Sequence, residues 1–166
     1  MVKKPTVQIR DTKIEDLIHV QDWLFDPEVL KGFPMIDKRE VEDAIRYWHQ
    51  YVEKKMSLTA MYKKKLAGCA NLYIQSIEKL KHQSLFVVIV GKSFRGRGIG
   101  TVLIKALERL AKKQFHIELL HLEVYENNPA TRLYERLGFK RYGSHPRYLK
   151  EADGTYYDKI LMQKSL

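Results

Sequence analysis

The sequence predicts an α/β or α+β fold in which helices flank a mixed β-sheet. Apolar residues alternate with polar ones in several short segments, and they recur at helical spacing in longer segments. The two kinds of segment are interleaved in the order β-α-α-β-β-β-α-β-α-β-β, which is typical of this fold class. The 166 residues, 45% of them hydrophobic, are enough for one domain with a full core, residues 1–166.

The N-terminal half is predicted to contain a strand, two helices and a β-hairpin. Each helix begins at a capping box, Thr12-x-x-Glu15 for the first and Asp37-x-x-Glu40 for the second. Asp26-Pro27 interrupts the first helix. The predicted elements are strand 6–10, helix 12–25, loop 30–36, helix 37–55, and strands 57–62 and 66–74 joined by a lysine-rich turn.

The C-terminal half is predicted to alternate strands and helices. Residues 84–90 are apolar almost throughout, which is typical of a strand buried on both faces. In strand 116–125, the even-numbered residues from Leu120 to Val124 are apolar, whereas Glu123 lies on the opposite face. The remaining elements are helix 99–113, helix 129–137 closed by Gly138, and strands 139–149 and 155–163 around the turn 152–154.

Composition and charge narrow the class of function. The net charge of +10 is spread along the chain rather than concentrated in a stripe, which favours a pocket for a polyanionic cofactor over a nucleic-acid footprint. The single cysteine, Cys69, excludes an intrachain disulfide framework and is expected to be a buried strand residue rather than a nucleophile. No apolar run is long enough to span a membrane, and no histidine has zinc-site spacing. We therefore expect a cytoplasmic protein without a metal site.

The segment between strand 84–90 and helix 99–113 carries the main functional motif, Arg95-Gly96-Arg97-Gly98-Ile99-Gly100. Glycines lack a Cβ atom, so their backbone N–H groups can approach a bulky anion closely. The helix that follows directs its unpaired amides and the positive end of its dipole at the same place. This construction predicts a phosphate or pyrophosphate site, although its spacing differs from the dinucleotide fingerprint and from the P-loop.

Two motifs resemble those of the GNAT N-acetyltransferase superfamily. The glycine loop matches the signature R/Q-x-x-G-x-G/A, and the segment 122–139 is similar to a second signature with Asn-x-x-Ala, Leu-Tyr and Gly-Phe. The motifs occur in the right order and on the right elements. The resemblance covers the whole domain and implies a mostly antiparallel sheet of about six to seven strands flanked by about four helices.

The resemblance implies acetyl-CoA as the acyl donor and CoA as a product. Strand 84–90 would splay from strand 117–125, and the pantetheine arm would enter the gap as an added strand, bonding the backbone around Val88 and Val90. The pyrophosphate would be held by the backbone N–H groups of Arg95, Gly96, Arg97, Gly98, Ile99 and Gly100.

The resemblance also implies direct attack of an amine on the thioester. Tyr134 matches the tyrosine beside the CoA sulfur, and its phenol stays protonated at neutral pH and can donate to the leaving thiolate. Glu123 lies in a Leu-Glu-Val context like that of ribosomal-protein N-acetyltransferases, in which this glutamate is the base. A water chain is the alternative base, and Glu28 is a weaker candidate.

Two neighbouring asparagines are candidates for contact with the cofactor. The spacing is one residue shorter than is usual in the family, so counting back from Tyr134 selects Asn127 and counting forward from Val124 selects Asn128. A helix N-cap explains either asparagine without a role in the reaction.

The resemblance implies a primary amine as the acceptor and leaves its identity open. A small molecule such as an amino acid, a polyamine or an antibiotic-like amine is the first expectation, and a protein N-terminus is the alternative. A non-catalytic acyl-CoA-binding module and a basic nucleic-acid-binding protein are further alternatives, and a homodimer is left open. Residues expected near the acceptor are Trp23, Phe25, Phe33, Met35, Tyr47, Trp48, Tyr51, Tyr142, Tyr148, Tyr156 and Tyr157.

Overall fold

A seven-stranded sheet with helices on both faces confirms the predicted fold class. The structure, a computed structural model, describes residues 6–166; residues 1–5 of the predicted domain lie outside the described residues. The strands are β1 (Gln8–Asp11), β2 (Ser57–Tyr62), β3 (Lys65–Ile74), β4 (Gln83–Val90), β5 (Leu119–Tyr125), β6 (Lys140–Lys150) and β7 (Tyr156–Ser165). The helices are α1 (Leu17–Leu24), α2 (Pro27–Leu30), α3 (Lys38–Glu53), α4 (Ile99–Phe115) and α5 (Thr131–Arg136).

The strand order is β1-β2-β3-β4-β5-β7-β6, and β4 and β5 are the one parallel pair of neighbours among the described strands.

The core has two clusters, one on each face of the sheet. On one face α4 buries Leu103 and Leu107, and on the other α1 and α3 bury Leu24 and Trp48. Strand β4 contributes Phe86 to the first cluster and Ile89 to the second, so its predicted burial on both faces is confirmed.

The predicted capping box at Thr12 is wrong. The Thr12 hydroxyl is buried and bonds the hydroxyls of Ser57 and Thr59, at 2.9 and 3.0 Å. The backbone N–H of Lys13 instead donates to the carboxylate of Asp16, and a 3-10 turn (Ile14–Asp16) precedes α1. Hydroxyls from neighbouring strands offer Thr12 buried partners, which a local cap does not.

The predicted cap of the second helix by Asp37 is confirmed, whereas the Glu40 carboxylate bonds the residue before the N-cap. The Asp37 carboxylate accepts from the N–H of Glu40 at 2.9 Å, and the Glu40 carboxylate accepts from the N–H of Ile36 at 2.8 Å. The C-cap at Gly138 is confirmed as well, with a positive φ of 89° and a hydrogen bond from the N–H of Phe139 to the carbonyl of Tyr134.

Two further element boundaries differ from the prediction. The segment after the first helix contains a single helical turn, α2, because the Asp26 carboxylate caps it by accepting from the N–H of Glu28. Strand β5 begins at Leu119 rather than at residue 116, because His116 has a left-handed φ of 54° and ends α4. None of the helices within residues 6–166 combines the length and the apolar content that a bilayer crossing requires.

Candidate functional site

The candidate site is the gap that opens between β4 and β5. The two strands pair in parallel at three positions, from Gln83 with Leu119 to Leu85 with His121. Beyond Leu85 they diverge, so the segments 86–90 and 122–125 face each other across an opening. This is the splay that the family resemblance implies.

The register shows which backbone groups face this opening. The N–H of Gly91 donates to the carbonyl of Ala67, so the odd-numbered residues of β4 bond to β3. The backbone groups of Val88 and Val90 therefore point toward β5. In the present side-chain arrangement the Val90 carbonyl accepts from Nε of Arg95, at 3.3 Å. An extended chain entering the gap would find backbone donors and acceptors here, as at any open strand edge.

The glycine loop lies at the carboxyl end of β4 and has the geometry of an anion cradle. Gly96 and Gly98 have positive φ angles of 71° and 77°, and a Cβ atom built on either would meet nothing within 4 Å. The first helical hydrogen bond of α4 runs from the N–H of Val102 to the carbonyl of Gly98. The amides of the first helical turn are therefore free of helical acceptors, and no side chain caps them.

The other loop residues hold the cradle in place. The Ile99 side chain is buried in the core and fixes the start of α4. A Cβ atom on Gly100 would lie 3.1 Å from the Leu133 side chain, so the absence of a side chain lets α5 approach α4. The exposed guanidinium of Arg97 lies 5.7 Å from the centre of the Tyr62 ring. Open space, free amides and two arginines fit a polyanionic group such as a pyrophosphate.

Tyr134 lies on the α4 face of the sheet, beside the gap. Its ring makes edge contacts with Phe86 of β4 and with Phe139, at centroid distances of 6.3 and 6.2 Å. Burial raises the pKa of its phenol to about 12, so the hydroxyl is protonated across the whole physiological range. Such a group can donate a proton but does not act as a base.

Glu123 lies on the opposite face of the sheet from Tyr134. Its even-numbered neighbours Leu122 and Val124 are buried in the cluster that contains Tyr134, so the Glu123 side chain projects from the other face. The side chain is 41% exposed, and its carboxylate lies 3.1 Å from Nζ of Lys159.

The surroundings of Glu123 include two residues that sequence reasoning missed, Lys159 and His121. Burial alone would lower the pKa of Lys159, but the Glu123 carboxylate outweighs this effect and the net shift is upward. Burial lowers the pKa of His121, and the charge of Glu123 offsets only part of that effect. A cross-strand register between β5 and β7 was needed to find Lys159, and the sequence motif contains no sign of it.

The two asparagines occupy different positions. The Asn128 side chain accepts from the N–H of Ala130 at 2.9 Å in a turn before α5, whereas the N-cap residue of α5 is Ala130 and no side chain caps this helix. Asn127 has a left-handed φ of 65° and lines an open pocket of about 250 Å³ between α5 and strands β6 and β7. The contact of either asparagine with a cofactor stays a prediction.

The aromatic residues expected near the acceptor do not form one pocket. Trp48 is core, with its indole N–H donating to Ser57, and Tyr51 packs on Tyr73. Phe33 and Met35 pack against the core cluster that contains Leu24 of α1 and Trp48 of α3, whereas Tyr47 is 64% exposed.

Strand β6 brings one of the expected aromatic residues, Tyr148, close to Glu123. Tyr148 stacks on Tyr125 at 6.4 Å, close to Glu123.

The weaker base candidate, Glu28, is exposed and paired with Lys31 at 2.9 Å.

Comparisons with known proteins agree with this geometry. A family model described as the acetyltransferase (GNAT) family matches residues 18–139. An N-alpha-acetyltransferase from Sulfurisphaera tokodaii is 34% identical over 70 residues, which cover 42% of each chain. The chain spans less than half the length of several curated relatives that it matches.

Solved structures share the fold over nearly the whole chain. A ribosomal-protein-alanine N-acetyltransferase from Brucella melitensis has a TM-score of 0.79 at 22% identity, covering 96% of this chain and 99% of that one. A phosphinothricin acetyltransferase from Sinorhizobium meliloti, solved in complex with AcCoA, has a TM-score of 0.78 at 20% identity, covering 97% of this chain and 89% of that one. At these identities the likeness concerns the fold.

Proposed function

The chain belongs to the GNAT family of acetyltransferases, and we propose on this premise that it transfers an acetyl group from acetyl-CoA to a primary amine of a small molecule. The observation that carries the proposal is the gap between β4 and β5. It is bordered by a glycine loop at one end, and it has Tyr134 on one face and Glu123 on the other.

Acetyl-CoA would supply the activated thioester. The cradle of Gly96 and Gly98 and the free amides at the start of α4 would bind its pyrophosphate. The backbone of Val88 and Val90 would bond its pantetheine arm, with the Arg95 side chain leaving the Val90 carbonyl. This arrangement would hold the thioester in the gap, open to both faces of the sheet.

The two proton transfers would then take place on opposite faces of the sheet. Glu123 would take one proton from the acceptor ammonium, and the neutral amine would attack the thioester carbonyl carbon. As the carbon–sulfur bond breaks, Tyr134 would donate its proton to the thiolate and be reprotonated by the proton that the new amide nitrogen loses. The products are the N-acetylated amine, CoA thiol and one proton released from Glu123.

The proposed class of acceptor is supported by the names of similar proteins. The similar proteins include an L-amino acid N-acetyltransferase from Escherichia coli and the phosphinothricin acetyltransferase named above, which favour a small-molecule acceptor. The N-alpha-acetyltransferase and the ribosomal-protein-alanine N-acetyltransferase favour a protein N-terminus as the second candidate. A non-catalytic acyl-CoA-binding module is the third alternative, and a cytoplasmic location and a homodimer stay predictions.

The test is thiol release from acetyl-CoA across a panel of amino acids, polyamines, antibiotic-like amines and N-terminal peptides at several pH values. Turnover on a small amine, with none on peptides, supports the proposal. Turnover restricted to peptides would replace it by N-terminal acetylation. If calorimetry detects acetyl-CoA binding but no amine is turned over, the protein is a non-catalytic acyl-CoA-binding module.

A further inference from the structure

Lys159 is a nearly buried cation next to β5, on the side of that strand away from β4. It lies on β7, directly across from Tyr125 on β5 and from His145 on β6. The whole residue is 9% exposed, and a buried ammonium is costly unless it has strong partners.

Two partners hold the Lys159 ammonium. Its Nζ atom lies 3.1 Å from Oε2 of Glu123 and 3.7 Å from the centre of the Tyr148 ring. The Tyr148 ring in turn stacks on Tyr125, at an interplanar angle of 22°. A carboxylate on one side and an aromatic face on the other fix the position of this cation.

We infer that Lys159 is a positioning residue, which holds Oε2 of Glu123 and leaves Oε1 free to take the proton of the acceptor ammonium. The inference rests on the proposed function, in which Glu123 is the base. The ion pair is made through Oε2 of Glu123, and the side chain is exposed enough to meet an incoming amine. A carboxylate bonded at one oxygen keeps a single orientation, as a base in a fixed geometry requires.

Lys159 also supplies the positive charge beside the base. The groups that face Glu123 are His121 and Tyr125 on its own strand, Lys159 on β7 and Tyr148 on β6. The pKa of His121 is lowered by burial, so this imidazole is neutral at pH 7. Burial raises the pKa of Tyr125 to about 12, so its phenol is also neutral. Lys159 is therefore the charged group that pairs with Glu123.

The same strand offers a matched control in Lys164. Its Nζ lies 2.7 Å from Glu108 of α4 and 5.7 Å from the centre of the Phe139 ring, so it too has a carboxylate and an aromatic partner. It projects from the opposite face of β7, away from Glu123. Removal of either lysine breaks a partly buried ion pair, but only Lys159 contacts the proposed base.

The experiment compares kcat and KM for the native protein with those of Lys159→Met, Lys159→Arg and Lys164→Met, using an amine from the panel above. We expect Lys159→Met to lower kcat by roughly 10- to 100-fold with little change in the KM of acetyl-CoA, because the proposed base loses its fixed orientation. Lys159→Arg should restore most of kcat, and Lys164→Met should leave kcat unchanged.

A double-mutant cycle with Glu123→Gln separates a positioning role from a structural one. If Lys159 acts through Glu123, Lys159→Met lowers kcat in the native background and has no further effect when Glu123 is already glutamine. An additive loss, or an unchanged kcat in Lys159→Met, would overturn the inference while leaving the proposed function intact.

NMR titration of the His121 imidazole gives a readout that needs no turnover. Without Lys159 the charge of Glu123 is uncompensated, so the pKa of His121 should rise in Lys159→Met and fall again when Glu123→Gln is added. An unchanged His121 titration would overturn the inference. Absence of turnover by the native protein on every amine would refute the proposed function and the role of Lys159 in it, even if the titration confirms the ion pair.

Discussion

Substitution of Gly98 by alanine separates backbone strain from cofactor binding. Gly98 has a φ of 77° and open space around its Cα atom. An alanine there should cost about 1 kcal/mol of unfolding free energy, because L-residues rarely adopt this conformation. Its methyl group would also occupy the space in which we propose that the pyrophosphate sits. Loss of one charge-assisted N–H bond costs about 1.5–3 kcal/mol, or roughly a 10- to 150-fold rise in the Kd of acetyl-CoA.

Gly154 in the β6–β7 turn provides the matched control. It has a φ of 89° and, like Gly98, nothing within 4 Å of an added Cβ atom. Gly154→Ala should therefore lower the unfolding free energy by the same amount, measured by urea denaturation, and leave the Kd of acetyl-CoA unchanged in calorimetry. Equal Kd values for the two variants would refute the assignment of the loop as the pyrophosphate cradle.

Three further predictions concern Tyr134, Cys69 and Asp16. Tyr134→Phe should lower kcat by about 10²- to 10⁴-fold with little change in acetyl-CoA affinity, because it removes the proposed acid and keeps the ring contacts; unchanged kcat would remove the acid role. Burial raises the pKa of the Cys69 thiol from 9.0 to about 12, so the unfolded chain loses the thiol proton at a lower pH than the folded chain. The contribution of this thiol to the unfolding free energy is therefore fully present below pH 9 and is lost as pH rises toward 12. Thermal melts of Cys69→Ala should show a weaker decline above pH 9 than those of the native protein. Asp16→Asn should lower the unfolding free energy, measured by urea denaturation, by about 2–3 kcal/mol, because the buried carboxylate bonds Arg10, Thr59 and the N–H of Lys13. Glu15→Gln is the control, since Glu15 is exposed, and it should change the unfolding free energy little.

The fold and the phosphate loop were predictable because their signals are local. Period-two alternation identified β5, and helical spacing identified α4. The glycines at 96 and 98 have the positive φ angles that only glycine adopts at low cost. Each of these features depends on residues within a few positions of one another in the chain.

Features that depend on distant residues could not be predicted in this way. Thr12 has the composition of an N-cap, but hydroxyls of β2 compete for it once the strands pair. Lys159 looks like an ordinary strand lysine until the register of β5 with β7 brings its ammonium to Glu123. Register is set by the packing of the whole sheet, so a single segment carries no information about it.

The position of the two proposed catalytic groups on opposite faces has a kinetic consequence. Side chains alternate along β5, so Glu123 faces away from the cluster in which α5 holds Tyr134. An amine arriving on the Glu123 face and a thiolate leaving on the Tyr134 face require both substrates to be bound at once. Cys69 offers no covalent route, because its thiol is buried and its raised pKa keeps it protonated. Initial-rate plots should therefore intersect, as for a ternary complex; parallel lines would mean that an acetyl-enzyme forms and that direct transfer is wrong.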